Sequence, residues 1–233
     1  MIVSYSRGFI FVKTKKTAGS TVEAVLSAAC GPQDIITKED AYKYPGSDAG
    51  WDGRELFRAR NRARREREQQ QEEDGADRVN KRAAGGFYSH MSAQEARSRL
   101  DPEFWNSALK LTIERHPYEK AVSLAYYRVA KKGETDIAQY LDRVVRKGAY
   151  ATHPLWLIDG EIAVDEIIRQ ERLKDDLERI GMRLGIPIPA VLPNLKSRTR
   201  KDRRPAREIL TAEQRRIVQE TCLKEFELLG YEP

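Results

Sequence analysis

Lys15-Lys16-Thr17-Ala18-Gly19-Ser20-Thr21 is a stretch whose residue types could hold an anion. Lys16 supplies a point charge, Ser20 and Thr21 offer hydroxyls, and Gly19 lets the backbone approach a ligand closely. Phe9 to Val12 before it is a short aromatic and β-branched run, read as a buried strand. Val22, Val25, Leu26 and Ala29 after it recur at helical spacing. A strand, a turn of small residues and a helix start together favour negative charge, because the first helical N–H groups lack intrahelical partners and the helix dipole adds to them. The stretch is not the Walker pattern G-x-x-x-x-G-K-[ST], since its lysine precedes its glycine. An ordinary turn with solvated lysines fits the same residues, and on this stretch alone both readings stay open.

The second stretch is Glu114 to Ser123. Arg115 leaves the end of a strand read over Ala108 to Glu114, and Ser123 follows about two helical turns later on the side of the helix start. An Arg and a Ser so placed suit one phosphate, the Arg by its bidentate geometry. Helix capping or a salt bridge is the plainer role for Arg115. His90 is placed in a bend between a Phe87-Tyr88 strand and a helix opened by the capping box Ser92 to Glu95. There it is a candidate base or a packing residue. His116 is treated as structural and His153 is left unassigned. With no cluster of carboxylates or thiols around these histidines, no metal site is expected.

The remaining elements must position these groups. Ile35-Ile36 reads as a short strand and 37–53 as loop. Arg54 to Asp74 is rich in Arg and Glu and reads as a solvated helix or a mobile insert. Its run Arg58 to Arg65 is basic, but the acids from Glu66 to Asp74 offset it and no aromatic residues interleave for base stacking, so an exposed charged face is preferred. Asp101-Pro102 starts a helix. Tyr118 to Lys131, Asp136 to Lys147 and Arg172 to Leu184 read as helices, Leu155 to Ile158 and Val164 to Ile168 as strands, and Pro193 to Pro205 as a basic loop. Thr211 with Gln214 caps a last helix running to about Leu229. Strands alternating with helices predict an α/β fold with a mostly parallel sheet, whose ligands bind outside the carboxyl ends of the strands. Both turns open onto that edge, so Lys16 with Thr17 and Arg115 with Ser123 could grip two ends of one doubly charged ligand.

The chain has 233 residues, 40% apolar and 33% charged, which suits one domain with an insert at about 37–85. A net charge of +6 and a pI of about 9.2 favour anionic ligands. No apolar run reaches a transmembrane length and the start carries no secretory pattern. Cys30 and Cys222 are the only cysteines, so a disulfide scaffold and a cysteine zinc site are not expected, and a cytoplasmic setting is the default.

The turn from Lys15 to Thr21 resembles the P-K-T-A-G-T-S signature of sulfotransferases that use 3′-phosphoadenosine 5′-phosphosulfate, and Arg115 to Ser123 is similar to that family's R-[ND]-P-x-x-R-x-x-S. Lys15 stands where the family has Pro, and Lys120 where it often has Arg. Phe87-Tyr88-Ser89-His90 resembles the segment that supplies the base in 2-O-type carbohydrate sulfotransferases. Val164-Asp165 through Leu173 and Phe226 to Tyr231 read like its later segments. The resemblance implies a P-loop-like three-layer fold. It implies that Lys15, Lys16, Thr17, Ala18, Gly19, Ser20 and Thr21 hold the 5′-phosphosulfate and that Arg115 and Ser123 hold the 3′-phosphate. Ser197 and Arg198 of the basic loop are further expected cofactor contacts. It also implies in-line transfer of a sulfuryl group to an acceptor hydroxyl, carbohydrate in this branch of the family, with His90 as base, Lys16 stabilising charge, and no metal. The competing readings are a nucleotide kinase, which lacks its Walker lysine, and a non-catalytic nucleotide- or nucleic-acid-binding module. No nucleic acid is the expected partner, and the oligomeric state is not legible.

Overall fold

The structure, a computed structural model, describes residues 1–31, 33–37, 86–133, 135–195 and 199–233. The insert at 37–85 is outside the described residues from position 38 onward, apart from Thr37, and so are Ser197 and Arg198.

In chain order the elements are β1 (Ile2–Ser4), β2 (Phe9–Val12), α1 (Gly19–Ser27), β3 (Ile35–Ile36), α2 (Ala93–Arg97), α3 (Pro102–Ser107), β4 (Leu109–Glu114) and α4 (Pro117–Lys132). Then come α5 (Ile137–Lys147), β5 (Leu157–Ile158), β6 (Glu161–Ile162), β7 (Glu166–Arg169), α6 (Leu173–Leu184), α7 (Ala206–Ile209), α8 (Ala212–Thr221) and α9 (Leu223–Leu229). Five strands form one sheet in the order β3-β1-β2-β4-β7. β1 runs antiparallel to both neighbours, whereas β2, β4 and β7 are parallel, so four strands point one way and β1 the other. The fold is α/β with a mixed, mostly parallel sheet.

Alternating side chains sort the sheet's residues between its faces. Ile2, Phe9, Phe11, Leu111, Ile113 and Ile168 pack against α1 and α6 through Val22, Leu26, Leu177 and Ile180. Val3, Ile10 and Val12 face the other way, onto Ala93, Ala96, Trp105 and Trp156. A third cluster joins α4, α5, α8 and α9 through Ala121, Val122, Leu141, Val144, Val218 and Phe226. The parallel register sets Val12 beside Thr112 and Glu114 beside Arg169. The carboxyl ends of β2, β4 and β7 therefore lie together, and the turns into α1, α4 and α6 share one edge.

Several signals act as their chemistry dictates. Ser92 accepts the Glu95 amide, Asp101 the Phe104 amide, and Thr211 with Gln214 closes a reciprocal capping box. Elsewhere the structure differs from the expectation. Phe87-Tyr88 is not assigned to a strand and leads into a turn at His90. Leu155 to Ile158 divides into a 3₁₀ turn and β5, which pairs with β6 across Asp159-Gly160. Both of those residues have positive φ, as a two-residue hairpin turn of this kind requires. The last helical run is two helices, broken at Cys222 (φ −111°, ψ 26°). Among the described residues no helix is long and apolar enough to cross a membrane, and no group of His, Cys, Asp and Glu is arranged to hold a metal ion.

Candidate functional site

The turn from β2 into α1 is wound tightly onto the end of β4. Thr14 donates its hydroxyl to the Ile113 carbonyl and lies 2.8 Å from the Thr17 hydroxyl, while Thr112 donates to the Val12 carbonyl at 2.8 Å. Lys16 (φ 65°) and Ala18 (φ 69°) both occupy the left-handed region, which folds the loop back around the helix axis. A Cβ on Gly19 would lie 3.0 Å from Lys13 Cγ and 3.3 Å from the Thr14 carbonyl oxygen, so a side chain there crowds the wrapped loop. Ala18, at the N-cap, provides no side-chain cap, and its carbonyl accepts the Thr21 amide at 2.9 Å. Lys16 Nζ sits 4.3 Å from the centre of the Tyr127 ring on α4. Lys13 is buried and pairs with Glu23 at 2.9 Å.

The turn from β4 into α4 is built differently. His116 Nδ1 accepts the Tyr118 amide at 3.2 Å, its Nε2–H donates to the Glu232 carbonyl at 2.9 Å, and Pro117 occupies the first helical position. His116 is thus a cap, as its structural assignment anticipates. Arg115 Nη2 bonds Glu119 Oε2 at 2.8 Å, and its Nε is buried with no hydrogen-bond partner among the described residues. Burial pulls the Arg115 pKa down and Glu119 opposes that shift. Ser123 and Tyr127 follow on one face of α4, four residues apart.

Under this turn lies a buried polar network. Lys120 Nζ contacts Glu114 at 2.8 Å, the Thr152 hydroxyl at 2.6 Å and Glu225 at 3.2 Å, and all three charged side chains are fully buried. Thr152 and Trp156 each donate to Glu114, and His153 Nδ1–H donates to Glu225 at 2.7 Å. Burial would raise the Glu225 pKa, but His153, Lys120 and the Thr152 amide outweigh it and bring it down to about 2. Lys120, the position where the resembled family often has Arg, therefore braces the turn from beneath.

The two turns meet at one cavity of about 940 Å³, within the range of small-molecule sites. Lys15, Lys16 and Ala18 to Thr21 of the first turn line it, together with Arg115, Ser123 and His90. Thr17 does not line it: its hydroxyl is buried inside the turn against Thr14. Thr21 lines the wall, yet its hydroxyl donates to the Pro193 carbonyl at 2.9 Å. His90 has φ 62°, and its Nδ1 is 3.0 Å from the Lys13 carbonyl. A carbonyl only accepts, so Nδ1 carries the proton and Nε2 holds the lone pair. Burial, reinforced by Lys13 and Lys15, brings the His90 pKa down to about 4, so the ring is neutral at pH 7.

Much of the remaining lining comes from the basic loop, whose expected contacts Ser197 and Arg198 lie outside the described residues. Arg200, Arg203 and Arg204 reach the cavity from the basic segment after Thr199, and Gln170, Leu173 and Asn194 complete it. Tyr127 had a readable signal, one helical turn after Ser123; the arginines read only as part of a basic loop. Compared with known proteins, the chain matches no family model, no curated protein and no solved structure.

Proposed function

We propose that the protein is a sulfotransferase that moves a sulfuryl group from 3′-phosphoadenosine 5′-phosphosulfate to an acceptor hydroxyl, a carbohydrate hydroxyl in the first instance, on a P-loop-like fold. The observation that carries this reading is the single cavity flanked by both anion-binding turns, with a neutral histidine on its wall. The cofactor's two charged ends suit the residues present. An uncapped helix start with Lys16 suits the 5′ end, and Arg115, with a buried unpartnered Nε, and Ser123 suit the 3′-phosphate. The phosphosulfate supplies the group transferred.

His90 Nε2 takes the proton of the acceptor hydroxyl, which is a poor nucleophile until that proton leaves. Its Nδ1–H remains on the Lys13 carbonyl and fixes both tautomer and ring orientation. Lys16 and the α1 N–H groups stabilise negative charge that grows at the departing end. Lys16 leaves the Tyr127 ring or shares itself with it at a cost of about 1 kcal/mol.

The test is calorimetric titration with adenosine 3′,5′-bisphosphate beside AMP and ATP. The bisphosphate binds tightest, and Arg115→Ala weakens it by about tenfold or more, the scale of one charged hydrogen bond, with little effect on AMP. Equal affinities for bisphosphate and AMP overturn the assignment of Arg115 and Ser123, and a preference for ATP with magnesium points to a kinase instead.

A further inference from the structure

Glu119 is a carboxylate on the wall of a cavity otherwise rich in cations, and all its bonds run inward. Its Oε2 accepts from Arg115 Nη2 at 2.8 Å and from Arg200 Nη1 at 2.5 Å, while its Oε1 accepts the Ala206 amide at 2.9 Å. Arg200 directs its other donors into its own segment, Nε to the Asp202 carbonyl at 2.7 Å and Nη2 to the Arg204 carbonyl. Arg204 is in turn held by Asp202. Arg200 therefore folds the 200–204 turn and fastens it to Glu119, which occupies the third position of α4, where the helix dipole favours an acid. Arg203 lines the cavity and forms no ion pair among the described residues.

Resting on the cofactor reading above, we propose that Glu119 is a positioning residue: it clamps the 199–206 segment to the start of α4, aims Arg115, and so sets the spacing of the cations that select a ligand with two separated phosphates. The side chains concerned are mostly buried, with 24% of Glu119, 21% of Arg115 and 14% of Arg200 exposed. A shared carboxylate among such groups does more than an isolated surface pair, which contributes about 0–1 kcal/mol. Burial would raise the Glu119 pKa, but the Ala206 amide and the two guanidiniums outweigh it and hold it below the ordinary carboxylate value.

An alternative role for the same carboxylate is a resident anion that the ligand displaces. The bonds separate the two. A displaceable stand-in needs only the arginines, whereas Glu119 also holds a backbone amide across the segment junction, 87 residues away.

The experiment compares wild type, Glu119→Gln and Glu119→Ala by hydrogen exchange over 199–206 and by calorimetry with adenosine 3′,5′-bisphosphate and with AMP. In Glu119→Ala, exchange over 199–206 speeds up by about tenfold or more. Bisphosphate binding weakens by about tenfold, AMP binding changes by less than about twofold, and Glu119→Gln, which keeps an acceptor for the Ala206 amide, falls between. A merely structural role moves neither the ratio of the two affinities nor the order of the variants. Unchanged exchange overturns the clamp, and tighter bisphosphate binding in Glu119→Gln overturns it in favour of the displaced anion. If wild type binds the bisphosphate no better than AMP, the cofactor reading has failed, and the exchange result alone decides the clamp. Should Glu119→Ala not fold, Arg200→Met severs the same link from the other side, with the same expectations.

Discussion

The turn after β2 and the turn after β4 start from the same place, a strand end beside a helix, and under the proposed function they would meet an anion in opposite ways. The first leaves its helix without a side-chain cap and bends Lys16 and Ala18 into the left-handed region. The second fills its helix start with His116 and Pro117 and works through side chains, with Arg115 held by Glu119 above and the Lys120 network below. Recognition by backbone depends on a wound loop, which few substitutions can reproduce. Recognition by side chain depends on what braces the side chain, and the bracing here is ionic and buried.

That contrast can be broken most forcefully from beneath. Lys120→Met leaves Glu114 and Glu225 without the lysine they share, so it destabilises the fold by about 3–5 kcal/mol, the cost of an uncompensated buried charge. Urea unfolding measures it, and a loss below about 1 kcal/mol means the network braces nothing. The next largest effect separates chemistry from binding. His90→Asn keeps a residue that tolerates positive φ, lowers the transfer rate by about a hundredfold and leaves bisphosphate affinity nearly unchanged. Full turnover with a confirmed acceptor would place the base elsewhere.

The same variant sharpens the comparison through pH. His90 carries a folded pKa of about 4 against an ordinary value of 6.5, so the unfolded chain binds its proton first. Its contribution is intact above pH 6.5 and is lost as pH falls from there toward 4, by on the order of 1–2 kcal/mol after discounting for its partial exposure. Stability of His90→Asn should decline less over that interval, and parallel curves would show the ring to be better solvated than its contacts imply. The smallest effect belongs to the wound loop itself. Gly19→Ala gains helix propensity but crowds Lys13, which Glu23 holds in place, for a net loss of about 0.5–1 kcal/mol by thermal unfolding. A gain in stability would mean that Lys13 can give way.

Much of this arrangement could be read from residues alone because its signals are local. The β2 run, the Ser92, Asp101 and Thr211 caps, and the two motif-bearing turns each lie within a few residues of their own explanation. What stayed hidden depends on distant partners. β1 is a three-residue strand whose place between β3 and β2 comes from pairing rather than from its own pattern. Phe87-Tyr88 has the composition of a strand but is not assigned to one. The break at Cys222 carries neither glycine nor proline to mark it; Thr221 turns its hydroxyl back onto the Ile217 carbonyl just before it. Arg200 reads only as part of a basic loop, and its partner Glu119 stands 81 residues earlier.

The buried network has a consequence for the birth of the chain. Glu225 meets Lys120 across 105 residues of sequence. On the ribosome, the strand and helix bearing Glu114 and Lys120 are made long before α9, so the nascent intermediate holds an incomplete cluster that water can still enter. Closing it with Glu225 and His153 is a late step, and the floor under Arg115 sets only then. A ribosome paused before α9 would display a polypeptide with its first anion-binding turn able to form and its second still without a foundation.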